Sequence, residues 1–344
     1  MGRLWILFNM CPDFFKPGLI QRSIVLRLDM YSANNSFPMN LTTTDYTYYH
    51  GGWLIDEMAA LVSLCMGIRL KAGEFIREFI PNSRDPFGRP FTSRYKLDPV
   101  VNIRTRGLVL PRVGDTRTGC NLTKIEPIKS LPNLTGKEAI ALIRAARLYQ
   151  DALWIAESDP SSAWVMFVSA LECAANQWQI SNESPLEMLK NSKPGLIKIL
   201  EETGIKDLPE KVAKEIKNNL GVTKKFINFI LEFQPPPPDK RPIEWAQIDW
   251  SKDSFKKYLN KIYNYRSIAL HDGVPFPVPM CYSPLSFIDN EMQYFEKPCA
   301  ISFQASGGKW MSKDVPMLLH TFEYITRGVL LNWWNSMNEK SNKL

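Results

Sequence analysis

"DPSSAWVMFVSALECAANQW" (Asp159–Trp178) is the stretch on which the fold turns. Trp164, Phe167, Leu171, Ala174 and Trp178 recur at helical spacing, and Pro160 suits a first turn, so a helix starts at Asp159 or Ser161. The other sides are apolar too: from Ser161 to Trp178 the sole charge is Glu172. A helix that is apolar all round is normally buried among other helices. A carboxylate inside it needs a cation or a hydrogen-bond donor, because leaving water is costly for a charge. Glu172 therefore calls for a partner, by preference an arginine, unless it reaches the helix edge and stays wet.

Upstream, "LPNLTGKEAIALIRAARLYQDALWIAES" (Leu131–Ser158) opens with Thr135 as N-cap and Glu138 three residues on, the pattern of a capping box. Leu142, Ala145, Tyr149, Leu153 and Ala156 line its apolar face. Downstream, helices are expected at 185–191, 195–203 and 209–233. "QPPPPDKRP" (Gln234–Pro242) follows as a stiff spacer. "SKDSFKKYLNKIYNYRSIALHDG" and "DVPMLLHTFEYITRGVLLNWWNSM" are two further helices. Between them, about 274–313 is irregular, which suits a lid, a binding loop or a small hairpin.

The first 130 residues differ in character. "RSIVLRLDM" (Arg22–Met30) reads as a strand. "IDEMAALVSLCMG" (Ile55–Gly67) reads as a helix. "IRLKAGEFIREFI" (Ile68–Ile80) reads as a hairpin turning at Ala72-Gly73, and short extended pieces follow to about Leu131. The expected fold class is α+β: a mixed domain with some strands over 1–130, of unassigned role, then an all-α domain over 131–344 with an insertion at about 274–313.

Composition narrows the class. The 344 residues are 45% hydrophobic and 22% charged, enough for a core. Lys and Arg number 42 against 35 Asp and Glu, a net charge of +7. That balance suits an acidic partner such as nucleic acid and also an ordinary mildly basic protein. The six cysteines are scattered without a CxxC pair or a nearby histidine, so no metal site and no cofactor are expected. Reduced thiols and a cytoplasmic location fit. The apolar burst Leu4–Phe8 is too short for a signal-peptide core, and no run approaches the roughly 18 residues of a membrane span.

"YNYRSIALHDGVPFP" (Tyr263–Pro277) carries the candidate chemistry. Phe255, Leu259, Ile262 and Arg266 follow i, i+4, i+7, i+11, which puts Arg266 on the core-facing stripe. That placement matches the oddity of Glu172, and the two are expected to pair. His271, one of three histidines, follows Arg266 by five residues, at the point where Gly273 and Pro275 stop the helix. An imidazole beside a fixed guanidinium suits acid–base work on a phosphodiester. The spacing alone equally suits a histidine that bonds its own helix end.

Arg266-Ser267-Ile268-Ala269-Leu270-His271 resembles the motif of the HEPN superfamily: arginine, a polar residue, a few more, then histidine. Ser267 stands where many members have Asn, Asp or His. "SDPSSAWVMFVSALECAANQW", "TKKFINFILEFQPPPP" and "LLHTFEYITRGVLLNWW" are similar to helices of the Apea-like HEPN group, so the resemblance covers roughly 131–336. It implies a helical bundle that dimerises with its motifs facing across a two-fold, and a metal-independent endoribonuclease of antiphage or toxin–antitoxin systems. His271 would be acid or base and Arg266 would steady the phosphate, with Ser267 and Glu172 supporting. RNA, a second copy and an antitoxin or defence partner are the implied partners. The alternative is a member without catalysis that dimerises and binds RNA, a nucleotide or a protein.

Other positions are weaker. Arg104, Arg106, Arg112 and Arg117, with Lys124 and Lys129, form a basic run that suits an RNA path or a solvated face. "SGGK" (Ser306–Lys309) lacks P-loop spacing and reads as a turn. His50 and His320 read as packing residues.

Overall fold

The computed structural model describes residues 2–9, 23–29, 44, 49, 51–79, 88–90, 121–178, 184–216, 221–288, 291–305 and 307–341. Four strands form an antiparallel sheet: β1 (Gly2–Asn9), β2 (Ser23–Asp29), β3 (Leu70–Phe79) and β4 (Arg89–Pro90), in the order β2-β1-β3-β4. The stretch that reads as a hairpin at Ala72-Gly73 is instead one strand, β3. Its pairing with β1 shifts register between Leu4 and Trp5 and between Trp5 and Leu7. A glycine inside a strand marks a bulge as readily as a turn, and here the chain takes the bulge.

Helix α1 (Leu54–Met66) lies between sheet and helices. Ile55, Ala59, Val62 and Met66 pack with Leu70 and Ala72 of β3. Its other face, Ala60, Leu61, Leu64 and Cys65, enters the core of the helical region. Cys65 is a core residue, and burial pushes its thiol up to about 12. Residues 122–133, expected as extended, are 3₁₀-helical. Pro127 and Pro132 interrupt them, and short 3₁₀ turns tolerate that better than a continuous α-helix does.

Helices α2 (Gly136–Ile155), α3 (Pro160–Trp178), α4 (Pro185–Ser192), α5 (Pro194–Glu202), α6 (Leu208–Glu215), α7 (Val222–Glu232), α8 (Lys252–His271) and α9 (Leu319–Ser341) make up the larger part. The capping box of α2 forms: the Thr135 N–H donates to Glu138 (3.0 Å), and the Glu138 N–H donates to the Thr135 hydroxyl (3.4 Å). The α2 stripe Leu142, Ala145, Tyr149, Leu153 and Ala156 is buried throughout. Helix α3 packs against α2, α7, α8 and α9. Its Trp164 is sandwiched between Phe276 (5.1 Å) and Phe322 (4.7 Å). Full burial of such a side chain is worth about 1.5–3 kcal/mol or more.

The single helix expected over 209–233 is two helices, α6 and α7. Gly221, the N-cap of α7, has φ +71°, a left-handed conformation that cannot continue a right-handed helix. Helices α4 to α6 keep a small core of their own, built on Met188, Leu189, Ile197, Leu200 and Ala213.

The proline run and the irregular segment are tied down by Glu296. Its carboxylate takes a two-pronged bond from Arg241 (2.8 and 2.6 Å) and the Ile248 N–H (2.7 Å). Its carbonyl accepts from Thr321 (2.8 Å) and the Leu318 N–H (3.0 Å) at the start of α9. Within 274–313 lie two hairpins, β5 (Leu285–Ile288) with β6 (Glu291–Tyr294) and β7 (Ser302–Ala305) with β8 (Gly308–Met311). The glycine pair of "SGGK" falls at the β7–β8 turn, with Gly307 at φ +82°. No helix among the described residues is long and apolar enough to cross a membrane.

Arginines bind α1 and β3 to the bundle. Arg327 of α9 donates to the carbonyls of Leu64 (2.9 Å) and Cys65 (2.6 Å) at the end of α1. Arg69 reaches the Leu153 carbonyl (2.6 Å) and Glu157 (3.1 Å) at the end of α2. Between them Tyr149 donates to Glu323 at 2.5 Å, with both side chains buried.

Two expectations follow. Gly328 of α9 lies against the proline run: a Cβ there would meet the Pro235 ring at 2.6 Å. Gly328→Ala should cost about 1–3 kcal/mol in urea unfolding, and pairing it with Pro235→Gly, which removes the Cβ and Cγ it would meet, should recover part of that loss. Glu323 is the pH-sensitive position. Burial, partly offset by Tyr149, Arg327 and Arg69, raises its pKa from 4.5 to about 7. The folded state then holds that proton more tightly than the unfolded state, so the contribution is complete below about pH 4.5 and is lost as pH rises through 7. Between pH 5 and 8 the wild type should lose about 2.5 kcal/mol relative to Glu323→Gln, most of it below pH 7, where the slope approaches about 1.4 kcal/mol per pH unit. Parallel unfolding curves for the two proteins across that range would contradict this.

Candidate active site

Helix α8 carries the motif. Ser251 caps its start by accepting from the Ser254 N–H (3.4 Å). It ends where the Asp272 N–H bonds the Ile268 carbonyl (2.9 Å) and Gly273 turns left-handed at φ +67°. Phe255, Leu259 and Ile262 are fully buried. Arg266, next on that stripe, keeps 21% of its side chain exposed.

Arg266 and Glu172 pair, as their patterns predict. Arg266 Nη2 donates to Glu172 Oε2 at 2.5 Å, and Tyr263 Oη donates to Oε1 at 2.8 Å. Each carboxylate oxygen therefore has a donor, which an 11% exposed glutamate on an apolar helix requires. The guanidinium carbon lies 5.7 Å from the Tyr263 ring centre, and that ring rests on Phe226 at 5.2 Å. Burial, then the bond to Glu172, raise the Tyr263 phenol to about 12, so it remains a donor. Arg266 Nε is buried and makes no hydrogen bond among the described residues.

The group opens on a cleft of ≈ 1060 Å³. Arg266, Ser267 and His271 all line it, and His271 is exposed. Lys193 of the α4–α5 corner, Lys224 of α7 and Lys256 of α8 also line it. Asn176, Asn228 and Asn260 supply amides.

Five positions apart on an ideal helix, Arg266 and His271 stand about 140° from each other. They meet on the cleft through a neighbouring stripe. Lys256, Asn260, Tyr263, Ser267 and His271 follow i, i+4, i+7, i+11, i+15, one residue on from the apolar stripe, and Arg266 lies at their border. That second stripe was available in the sequence. Lys193 and Lys224 were not, because only the packing of α4, α5 and α7 brings them to this cleft.

Arg104, Arg106, Arg112, Arg117 and His50 lie outside the described residues. Lys129 pairs with Glu126 (3.2 Å) in the 3₁₀ segment, and His320 is half buried in α9; neither lines the cleft. Comparison of the chain with family models, curated proteins and solved structures finds no match.

The three-way contact makes a measurable claim. Glu172→Ala should cost about 2 kcal/mol in urea unfolding, since it strands a largely buried guanidinium, and Tyr263→Phe about 1 kcal/mol. In an Arg266→Ala background the Glu172→Ala loss should shrink, and equal losses in both backgrounds would show that the pair is not coupled.

Proposed function

We propose that the chain is a metal-independent endoribonuclease of HEPN type, acting as a homodimer in antiphage defence or toxin–antitoxin stress response. The observation that carries the reading is the opening of Arg266 and His271 onto one cation-lined cleft, Arg266 held by Glu172 and Tyr263 and His271 exposed to an incoming strand. His271 would take the proton of a ribose 2′-hydroxyl. The 2′-oxygen attacks phosphorus, the P–O5′ bond breaks, and a protonated histidine of the second subunit returns a proton to the 5′-oxygen. The products are a 2′,3′-cyclic phosphate and a 5′-hydroxyl. Arg266 would stabilise charge on the phosphoryl oxygens.

The Arg266–Glu172 ion pair also favours a second reading. A purely structural tie between α3 and α8 would have the same geometry, leaving a module that binds RNA or a partner without cutting.

The test is cleavage of labelled total RNA in EDTA by the wild type, His271→Ala and Arg266→Ala. The ribonuclease reading expects wild-type cleavage to survive EDTA and each variant to lose at least about a hundredfold, in line with the 10²–10⁴ typical of general acid–base groups. An inactive wild type that still binds RNA selects the second reading. Equal cleavage by all three moves the chemistry to another site.

A further inference from the structure

We infer that helices α4–α6 form a movable cap on the cleft, a unit that opens and re-forms against a fixed bundle and closes on a bound ligand. Glu172 of α3, Asn228 of α7 and Tyr263 of α8 line the cleft from the bundle side. Their helices are rooted in the main core through Trp164, Phe229 and Leu259. Ser192 and Lys193, from the corner between α4 and α5, line the cleft as well, and their helices are rooted elsewhere. Helices α4, α5 and α6 pack mainly on one another, around Met188, Leu189, Ile197, Leu200 and Ala213, a core separate from the main one. Hydrogen bonds within the unit hold its turns: the capping box of Ser184 and Glu187 (2.8 and 3.2 Å), and the Thr203 hydroxyl donating to the Leu200 carbonyl (2.7 Å).

Local sequence makes the corner. Pro194 disfavours a helical residue before it, so α4 ends at Ser192 and α5 starts afresh at Pro194. The Lys193 N–H donates to the Leu189 carbonyl (2.8 Å), and its carbonyl accepts from the Leu196 N–H (3.0 Å), so one residue closes α4 and opens α5. The three helices are 8, 9 and 8 residues long, below the roughly 12–15 at which a helix holds alone in water. They stand only while their shared core is intact. That core has no aromatic side chain, whereas the main one encloses Trp164, Trp333 and Trp334. Opening is cheapest where a cooperative unit buries least, and lids over ligand sites are drawn from such units. The bundle wall with Arg266 and Glu172 therefore keeps its register while the α4–α5 corner withdraws and returns. A ligand that touches both the corner and the bundle favours the closed arrangement, because only that arrangement offers it both sets of contacts. Such a cap serves a cutting site and a binding site alike.

The experiment is hydrogen–deuterium exchange read by mass spectrometry on the full chain, first without ligand. Peptides from α4, α5 and α6 should share one degree of protection, at least about a hundredfold below that of α3 and α8. Leu189→Ala should lower it in all three helices together and leave α3 and α8 at wild-type rates. Should that variant melt early, Ile197→Val should give the same pattern more mildly. Protection of α4–α6 equal to that of α3, three unrelated rates, or a variant effect spread equally over α3 and α8 overturns the cap. In a second arm a 12-nucleotide RNA strand, 2′-O-methylated throughout so that it cannot be cut, is added. Once bound, it should slow exchange across all of α4–α6, including α6, none of whose residues lines the cleft. Slowing confined to α7 and α8 overturns the closure. A strand that does not bind counts against RNA as the ligand, and the cap is then decided by the ligand-free arm.

Discussion

Helix α3 imposes the main constraint, because a helix apolar on every side has to be surrounded. Helices α2, α7, α8 and α9 surround it. Trp164 fixes one end, between Phe276 and Phe322. The one charge within the apolar run, Glu172, then fixes what can stand opposite. Its desolvation has to be offset by donors on a neighbouring helix, and α8 supplies two, Arg266 and Tyr263. Burial of α3 and placement of the motif arginine are therefore one event. The register of α8 along α3 that packs Phe255, Leu259 and Ile262 is the register that delivers the guanidinium to the carboxylate.

The end of α8 is held from the other side by the segment 274–313 and by Asp314, which follows it. The Phe276 N–H donates to Ser161 (2.9 Å) at the start of α3. Tyr265 donates to the Asp314 carbonyl (2.9 Å), and Lys261 pairs with the Asp314 carboxylate (2.9 Å). That segment is in turn anchored to α9 and the proline run through Glu296. The backbone that carries His271 is thus fixed at both ends of the stretch, while the imidazole remains exposed. Of the lid, binding loop or small hairpin that the sequence suits, the segment forms hairpins, and it works here as a buttress.

Legibility followed the locality of the physics. The capping box at Thr135 and Glu138, the stripes of α2 and α3, and the pairing of Glu172 with an arginine depend on spacing within one helix and on the cost of an unpaired buried charge, so they can be read from residues alone. Glycine was the weak point. Gly73 signals a turn or a bulge with equal force, and only the partner strand β1 selects the bulge. The apolar pattern through 209–233 conceals the break at Gly221, where a φ of +71° cannot continue a right-handed helix. Lys256 was within reach of a helical-wheel argument, one residue along from Phe255. Lys193 and Lys224 belong to other elements, and spacing along the chain carries no information about their approach.

Pairing Arg266 with Glu172 has an electrostatic consequence for the cleft. The two together are close to neutral, so at a distance they attract an anion weakly, however well the guanidinium is oriented. Orientation is what the pair supplies: a guanidinium held by Glu172 is already fixed before any ligand arrives, and little side-chain entropy remains to be lost. Under the proposed reading, Arg266, bound to the core through α3, would set where one phosphate stops relative to His271.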